Sequence, residues 1–191
     1  AYLFSPDIGP INKALNALGL PGQRWLSETR GVLELLWTSL GIQGLAWLKG
    51  PSLALVSLVI YTTWVFVGYD TVIFLAGLGN IPKELYDAAR VDGASGWKLF
   101  RPIPWPMLSA TTFFLLLIPV IGTFKAFNHI YVMTMGGPGN ATTTASIYIF
   151  NQMVSYNRYG YSAAISFIVF IVILILTVLQ NKFAGERVIY D

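Results

Sequence analysis

The sequence predicts an all-α polytopic membrane protein with three transmembrane helices. Hydrophobic residues make up 55% of the 191 residues and charged residues only 11%, whereas soluble domains average about 25% charged residues. Three stretches of 20, 23 and 23 residues carry no charge at all: 50–69, 102–124 and 159–181. Because a transmembrane helix needs roughly 20 mostly apolar residues to cross about 30 Å of hydrocarbon, each stretch is long enough to span a bilayer.

The composition also excludes several classes of protein. A net charge of +3 without a basic cluster does not fit a nucleic-acid binder, and 21 charged side chains do not fit a soluble enzyme of this size. The chain has no cysteine, which removes disulfides, thiol nucleophiles and cysteine-metal sites, and no metal or cofactor is expected. Since no signal-peptide pattern follows Ala1, the first residue is expected to be internal to a longer protein.

We place the three spans at about 53–79, 104–126 and 162–181. The third is apolar on all sides, and although it is rich in Ile and Val we expect a helix, because a backbone in lipid must satisfy its own hydrogen bonds. The second opens with Pro104 and Pro106, which a first helical turn tolerates. Pro119 lies at its middle and is expected to kink the helix just before Gly122.

Residues 1–51 are predicted to form an extracytoplasmic loop with short or interfacial helices, and 52–191 to form the transmembrane domain. Proline and glycine interrupt the first part, which leaves room for one short helix near 11–18. The stretch 31–48 is 18 residues long but contains Glu34 and several other polar residues and glycines. We interpret it as an interfacial helix, with a fourth span as the alternative.

The distribution of basic residues gives the orientation. Six of the 12 Lys and Arg residues lie in 80–103 and 182–191, and six lie in the much longer remainder of the chain. The positive-inside rule therefore favours a cytoplasmic position for the segment 80–103.

The sequence of the segment 81–106 predicts a helix, a tight turn and a second helix. Pro82 suits a first helical turn, and Lys83, Asp87 and Arg90 share one face at i, i+4 and i+7. Gly93 is expected to end this helix and Ser95 to cap the next. Such a small-residue, charged projection suits docking of another protein, and a solvated loop without a partner is the alternative.

This loop resembles the EAA loop of binding-protein-dependent ABC importer permeases, whose pattern is E-A-A-x3-G-x9-I-x-L-P. The chain reads Asp87-Ala88-Ala89, three residues, Gly93, nine residues, then Ile103-Pro104-Trp105-Pro106. Asp87 replaces the glutamate of the pattern and Trp105 its leucine. The segments 73–78, 81–86 and 136–144 also resemble the carbohydrate-uptake branch, the last of them the maltose-type first permease subunit. The resemblance implies the C-terminal half of a six-helix permease core.

A mechanism and a set of partners follow from this resemblance. The EAA helix of that family is a coupling helix that seats in a cytoplasmic ATPase dimer, which here gives the coupling role to Asp87, Ala88, Ala89, Gly93, Ile103 and Pro106. Since the chain has no phosphate-binding loop of the form G-x4-G-K-[ST], ATP hydrolysis is expected on a separate subunit. The resemblance further implies a second permease subunit, an extracytoplasmic solute-binding protein, a sugar substrate and a multi-pass location in the bacterial inner membrane.

The first and second spans also carry candidates for a substrate pathway. Asp70 is the ionisable residue within the first predicted span. Inserting an aspartate at the bilayer centre costs about 2.5 to 3.5 kcal/mol, so the Asp70 side chain is expected to face protein or water. By resemblance the binding site is built at mid-membrane from the spans that flank the EAA loop, and the candidates are Thr62, Tyr69, Asp70, Gly122 and Thr123. A structural hydrogen bond from Asp70 to a neighbouring helix is the alternative. The lone His129 is interpreted as an interfacial polar group.

Three other functions stay open at this point. An ion-coupled secondary carrier would use Asp70 as its proton or cation site. A scaffolding membrane subunit would need no pathway, and an ABC importer permease for a non-sugar solute would share the EAA loop.

Overall fold

The computed structural model describes residues 2–39, 41 and 49–185. Within those ranges the regular structure is helical, together with one isolated antiparallel bridge between Gly31 and Ser52. A short 3-10 turn covers Tyr2–Phe4 and a π-helical turn covers Asn151–Ser155. The α-helices are α1 (Pro10–Ala17), α2 (Val32–Ser39), α3 (Leu53–Gly79), α4 (Lys83–Val91), α5 (Trp97–Phe100), α6 (Pro104–Met107), α7 (Ser109–Phe124), α8 (Asn128–Thr134), α9 (Ala145–Phe150) and α10 (Tyr159–Ala184).

Two of these helices are long and apolar enough to cross a membrane by themselves, α3 and α10. With 27 and 26 residues they reach about 40 Å at 1.5 Å per residue, more than the hydrocarbon thickness. The bounds of α3 are those of the first predicted span, and α10 contains the third. Apolar side chains of α10 are exposed along its length, among them Phe167 and Ile168 at 69% and 60%, which is typical of a helix that contacts lipid.

The second predicted span, 104–126, contains two helices with a bend between them, and whether they form one span stays a prediction. Its first residues form α6, the rest form the 16-residue α7, and Leu108 between them leaves the helical conformation at φ −81° and ψ 3°. The segment Trp97–Met107 makes an angle of 59° with α7. Pro104 and Pro106 both lie in α6, ahead of this break, in the first helical turn where proline is tolerated. Pro119 lies within α7, which continues to Phe124.

The chain divides into two compact units, Ala1–Trp64 with Ala126–Ala163 and Val65–Lys125 with Ala164–Asp191. The first unit has a small core in which Leu58 of α3 packs against Ile130 of α8 and Ile147 of α9. Beside it, the ring centroids of Phe127 and Phe150 lie 5.0 Å apart. The first half of α3 is therefore held by the segment that follows α7 in the chain.

The two ends of the stretch 31–48 lie side by side in the first unit. Val32 N–H donates to the Pro51 carbonyl at 2.9 Å, and Leu53 N–H donates to the Arg30 carbonyl at 3.1 Å. Only α2 of this stretch is described in full, and residues 40 and 42–48 lie outside the described residues. The choice between an interfacial helix and a fourth span stays a prediction.

In the second unit the end of α3 packs closely against the beginning of α7. A Cβ placed on Gly77 would lie 2.8 Å from Thr111 Oγ1 and 2.9 Å from Leu108 Cδ2. Real Cβ atoms essentially never come that close to another heavy atom, so a glycine is what allows this approach. The loop 81–106 follows the end of α3 and precedes the beginning of α7, so both of its ends lie at this junction.

Candidate functional site

The loop between α3 and α7 begins with the predicted helix, and its end is a Schellman motif. Gly93 has φ +77°, the left-handed conformation that glycine adopts without strain. Its N–H donates to the Arg90 carbonyl at 3.0 Å, and Ala94 N–H donates to the Ala89 carbonyl at 2.9 Å. These two bonds satisfy carbonyls that a helix C-terminus leaves free, so Gly93 fixes the direction in which the chain leaves α4.

The second helix of the loop starts differently from the prediction. Gly96, with φ +53° and ψ −122°, is the N-cap of α5 and no side chain caps the helix. Ser95 was expected to cap it with its hydroxyl, and that expectation is wrong. It contributes its carbonyl instead, which accepts from Lys98 N–H at 3.1 Å.

The outer face of α4 presents charge and small side chains to solvent. Asp87 Oδ1 accepts a bond from Arg90 Nη1 at 3.3 Å, and the two side chains are 70% and 66% exposed. An ion pair this exposed contributes about 0 to 1 kcal/mol, so a basic partner can replace Arg90 at little cost. Ala88 is exposed and Ala89 half-buried, while Val91 is 88% exposed. This combination is typical of a surface that becomes buried only in a complex.

The last part of the motif holds the loop against the membrane domain. Ile103 and Pro106 are half-buried and Pro104 is buried. Trp105, where the family pattern has leucine, is 67% exposed. The structure therefore separates the six predicted coupling residues into two groups. Those on α4 and its turn are exposed except for the half-buried Ala89, and Ile103 and Pro106 at the base of the loop are both half-buried.

Thr62, the first of the pathway candidates, contacts a residue that the sequence analysis did not assign to the pathway. Thr62 Oγ1 lies 3.3 Å from Nε2 of His129, a hydrogen-bond distance across 67 positions of the sequence. The ring of Tyr61 lies beside the imidazole, with 6.2 Å between centroids. His129, interpreted as an interfacial polar group, is therefore part of a small polar and aromatic cluster on α3 and α8.

Tyr69 and Asp70 are neighbours on α3 and differ in their surroundings. The Tyr69 side chain is 56% exposed, whereas Asp70 is half-buried. Among the described residues Asp70 is in no ion pair. An unpaired carboxylate in a helix of this length is available to a polar solute or to another chain.

Gly122 and Thr123 lie in the last turn of α7 and are both exposed. No described residue lies within 4 Å of a Cβ built on Gly122, so within the described part of the chain this position leaves open space beside the helix. Thr123 Oγ1 donates to the Pro119 carbonyl at 2.8 Å, so its lone pairs remain available to accept a bond. Within the described ranges, no three His, Cys, Asp or Glu side chains come together in a way that could hold a metal ion.

Comparison with known proteins identifies the family. Residues 18–186 match the family described as binding-protein-dependent transport system inner membrane component. The arabinooligosaccharides transport system permease protein AraP of Bacillus subtilis is 37% identical over 148 residues, which are 77% of this chain and 47% of that protein. The trehalose/maltose transport system permease protein MalF of Thermococcus litoralis is 36% identical, with 82% and 53% covered.

Two further similarities bear on the solute and on the fold. The sn-glycerol-3-phosphate transport system permease protein UgpA of Agrobacterium fabrum is 35% identical, with 91% of this chain and 60% of that protein covered. A crystal structure of a bacterial ABC transporter involved in the import of the acidic polysaccharide alginate superposes with a TM-score of 0.72 at 23% identity, over 97% of this chain and 57% of that one. This last likeness shows the shared fold.

The chain spans about half the length of the curated relatives it matches, from 47% to 60% of those named above. The family match covers nearly all of the chain, and it agrees with the apolar helices and with the EAA-type loop. The chain therefore belongs to the family of inner membrane components of binding-protein-dependent transport systems.

Proposed function

We propose that this chain is part of the permease subunit of an ATP-driven importer of sugars or oligosaccharides. In this proposal α4 docks on a separate cytoplasmic ATPase dimer, and α3 and α7 contribute to the pathway of the solute. A second permease subunit completes the pathway, and an extracytoplasmic solute-binding protein delivers the sugar.

The exposed helix α4 is the observation that carries the proposal. It projects between two membrane-embedded elements, ends in a fixed turn at Gly93, and leaves Val91 88% exposed. An exposed helix that combines charged, small and apolar side chains, with Leu85 41% and Val91 88% exposed, suits contact with another protein. Because the Asp87–Arg90 pair is weak, the Asp87 carboxylate is available to a basic group of the ATPase. Aspartate is one methylene shorter than the glutamate of the family pattern, so that basic group must come closer to α4.

The sugar assignment is supported by the relatives and by the chemistry of the pathway candidates. AraP and MalF are named for oligosaccharide and disaccharide transport. Tyr69 offers an exposed aromatic face to the C–H side of a sugar ring, and Asp70, Thr62 and Thr123 offer polar groups to its hydroxyls. We expect Tyr69→Ala to raise the KM of uptake, and an unchanged KM would remove Tyr69 from the pathway.

Two substitutions at Gly93 test the coupling role. Gly93→Val places a β-branched side chain at φ +77°, where it is strained and should distort the turn after α4. Gly93→Asn is the matched control, because asparagine tolerates the left-handed conformation. We expect the full transporter with valine to insert in the membrane but to lose the stimulation of ATP hydrolysis by loaded binding protein, whereas the asparagine variant keeps it. Normal stimulation and uptake in the valine variant would contradict the proposal.

The similarity to UgpA supports a second candidate solute, a phosphorylated polyol such as glycerol 3-phosphate. Stimulation of ATP hydrolysis by the binding protein loaded with either solute distinguishes the two. Stimulation by the oligosaccharide-loaded protein alone supports a sugar importer, and stimulation by the glycerol-phosphate-loaded protein alone replaces it with the second candidate.

The unpaired Asp70 keeps the ion-coupled carrier as an alternative that needs a test of its own. In proteoliposomes, an importer driven by ATP keeps its uptake when a protonophore removes the proton gradient. Uptake that collapses with the gradient, continues without ATP and is lost in Asp70→Asn would contradict the importer and favour the carrier.

A further inference from the structure

The short segment 97–107, which comprises α5, α6 and the residues that join them, differs in charge from the helix before it. Glu84, Asp87 and Asp92 lie in or next to α4, whereas no acidic residue occurs between positions 93 and 185. Lys98 and Arg101 are exposed, and within the described part of the chain neither is in an ion pair. The segment 97–107 therefore carries positive charge only, whereas α4 carries charges of both signs.

Three aromatic rings accompany these cations. Trp97 stacks on Phe100 with 5.3 Å between ring centroids, and Phe100 meets Trp105 at 6.5 Å. The two tryptophans are 71% and 67% exposed. Together with Arg101 the three rings line one cleft. Two indoles this exposed are costly in water, whereas tryptophan is favoured at the boundary between the hydrocarbon and the headgroups.

The direction of the segment places it at that boundary. It makes an angle of 59° with α7, the helix that it leads into, so it runs oblique to the membrane-embedded helix rather than continuing it. The break lies at Leu108, directly after the aromatic rings. The rings and the cations are therefore at the end of a span, where lipid headgroups lie.

The polar side-chain groups that line this cleft are of one kind. The Arg101 guanidinium and the two indole N–H groups are hydrogen-bond donors and none of them accepts, and the ammonium of Lys98 on the same segment is a further donor. Such a set suits a ligand rich in acceptor oxygens with negative charge, and a phosphodiester beside acyl chains meets both requirements of the cleft.

We propose that Trp97, Lys98, Phe100, Arg101 and Trp105 form a binding site for the headgroup of an anionic phospholipid in the cytoplasmic leaflet. The site anchors the return arm of the coupling loop to the bilayer, so that α4 moves relative to a fixed point when the ATPase closes. The leaflet assignment rests on the cytoplasmic position of the loop in the proposed function. The lipid contact itself rests on the rings, the cations and the angle to α7.

A photo-crosslinking experiment on the full transporter tests the site. With p-benzoylphenylalanine in place of Phe100, the complex is reconstituted in vesicles of equal parts phosphatidylcholine and phosphatidylglycerol and irradiated. A basic residue near an anionic surface contributes about 1 kcal/mol, or roughly fivefold in affinity. We therefore expect phosphatidylglycerol to exceed phosphatidylcholine among the lipid adducts by about fivefold or more.

Two charge variants show whether the named cations are responsible. Lys98→Gln combined with Arg101→Gln should bring the two lipids to equal yield. The matched control Lys182→Gln removes an exposed cation in the last turn of α10 and should leave the enrichment unchanged. Equal yields of both lipids in the otherwise unchanged complex, or adducts to the ATPase in place of lipid, would overturn the proposal.

A second measurement keeps this result separate from the proposed function. ATP-driven uptake by the crosslinkable complex is followed in the same vesicles. ATP-driven uptake together with equal yields of the two lipid adducts would contradict the lipid site and agree with the proposed importer. Enrichment of phosphatidylglycerol adducts without ATP-dependent uptake would support the lipid site and contradict the importer.

Discussion

The close contact at Gly77 permits a sharp prediction about how the coupling loop is held. Gly77→Ala adds one methyl group, which would lie 2.8 Å from Thr111 Oγ1 and 2.9 Å from Leu108 Cδ2. Gly68→Ala is the matched control in the same helix, because no atom of the described residues lies within 4 Å of a Cβ at that position. Both substitutions replace a helical glycine by alanine, so the gain in helix propensity is common to the two.

The difference in unfolding free energy between the two variants therefore measures the cost of the close contact alone. Alanine in place of an interior helical glycine stabilises by about 1 kcal/mol, and one methylene too many in a packed interface destabilises by about 1 to 3 kcal/mol. We therefore expect Gly77→Ala to be less stable than Gly68→Ala by about 1 to 3 kcal/mol. Thr111→Ala removes one of the two clashing atoms, so it should recover part of this difference in the Gly77→Ala background.

The assay is equilibrium unfolding of the full permease in detergent micelles, with the apparent free energy of unfolding compared between the variants. ATP hydrolysis and uptake are measured in parallel, because a junction pushed apart at the base of the loop should weaken their coupling. Equal stabilities for Gly77→Ala and Gly68→Ala, or no recovery with Thr111→Ala, would refute the packing of α3 on α7 described above.

Two further predictions concern the first unit. The guanidinium of Arg30 hydrogen-bonds Glu28 and lowers its pKa from 4.5 to about 2, so the pair should stabilise the fold fully above pH 4.5 and progressively less as pH falls towards 2. The stability difference between the unchanged protein and Arg30→Gln should narrow over that window, and a difference that grows on acidification would contradict this. Asn12, 3% exposed, bonds through both side-chain atoms to two loop segments. Asn12→Ala should lower the free energy of unfolding by about 2 to 4 kcal/mol, while Asn16→Ala, exposed on the same helix, should leave it unchanged.

The sequence predicted those features that local chemistry determines. The scarcity of charge from position 50 to the residue before Lys83, interrupted only by Asp70, predicted the extent of α3, because an α-helix satisfies its backbone hydrogen bonds within its own segment. The turn at Gly93 followed from the conformational freedom of glycine after a short amphipathic helix. The EAA spacing identified the family, and the comparison confirmed it.

Other features depend on contacts that no local pattern contains. The approach of Thr62 to His129 joins positions 67 residues apart, and a lone histidine carries no periodic signal. Gly77 lies in a helix that is apolar on all sides, so its sequence does not show which face meets α7. The break at Leu108 was not predicted, because prolines 104 and 106 both fit a first helical turn and no turn residue marks the position that follows it.

The docking of α4 on an ATPase is tested most directly by a cysteine crosslink. Val91→Cys, at a position 88% exposed, is compared with Ala89→Cys, two residues along the same helix and half-buried, in membranes that are actively accumulating solute. A bifunctional thiol reagent should join the cysteine at position 91 to the ATPase subunit in high yield, and the cysteine at position 89 much less. A cysteine at position 91 that never captures the ATPase during active uptake would contradict the coupling role of this helix.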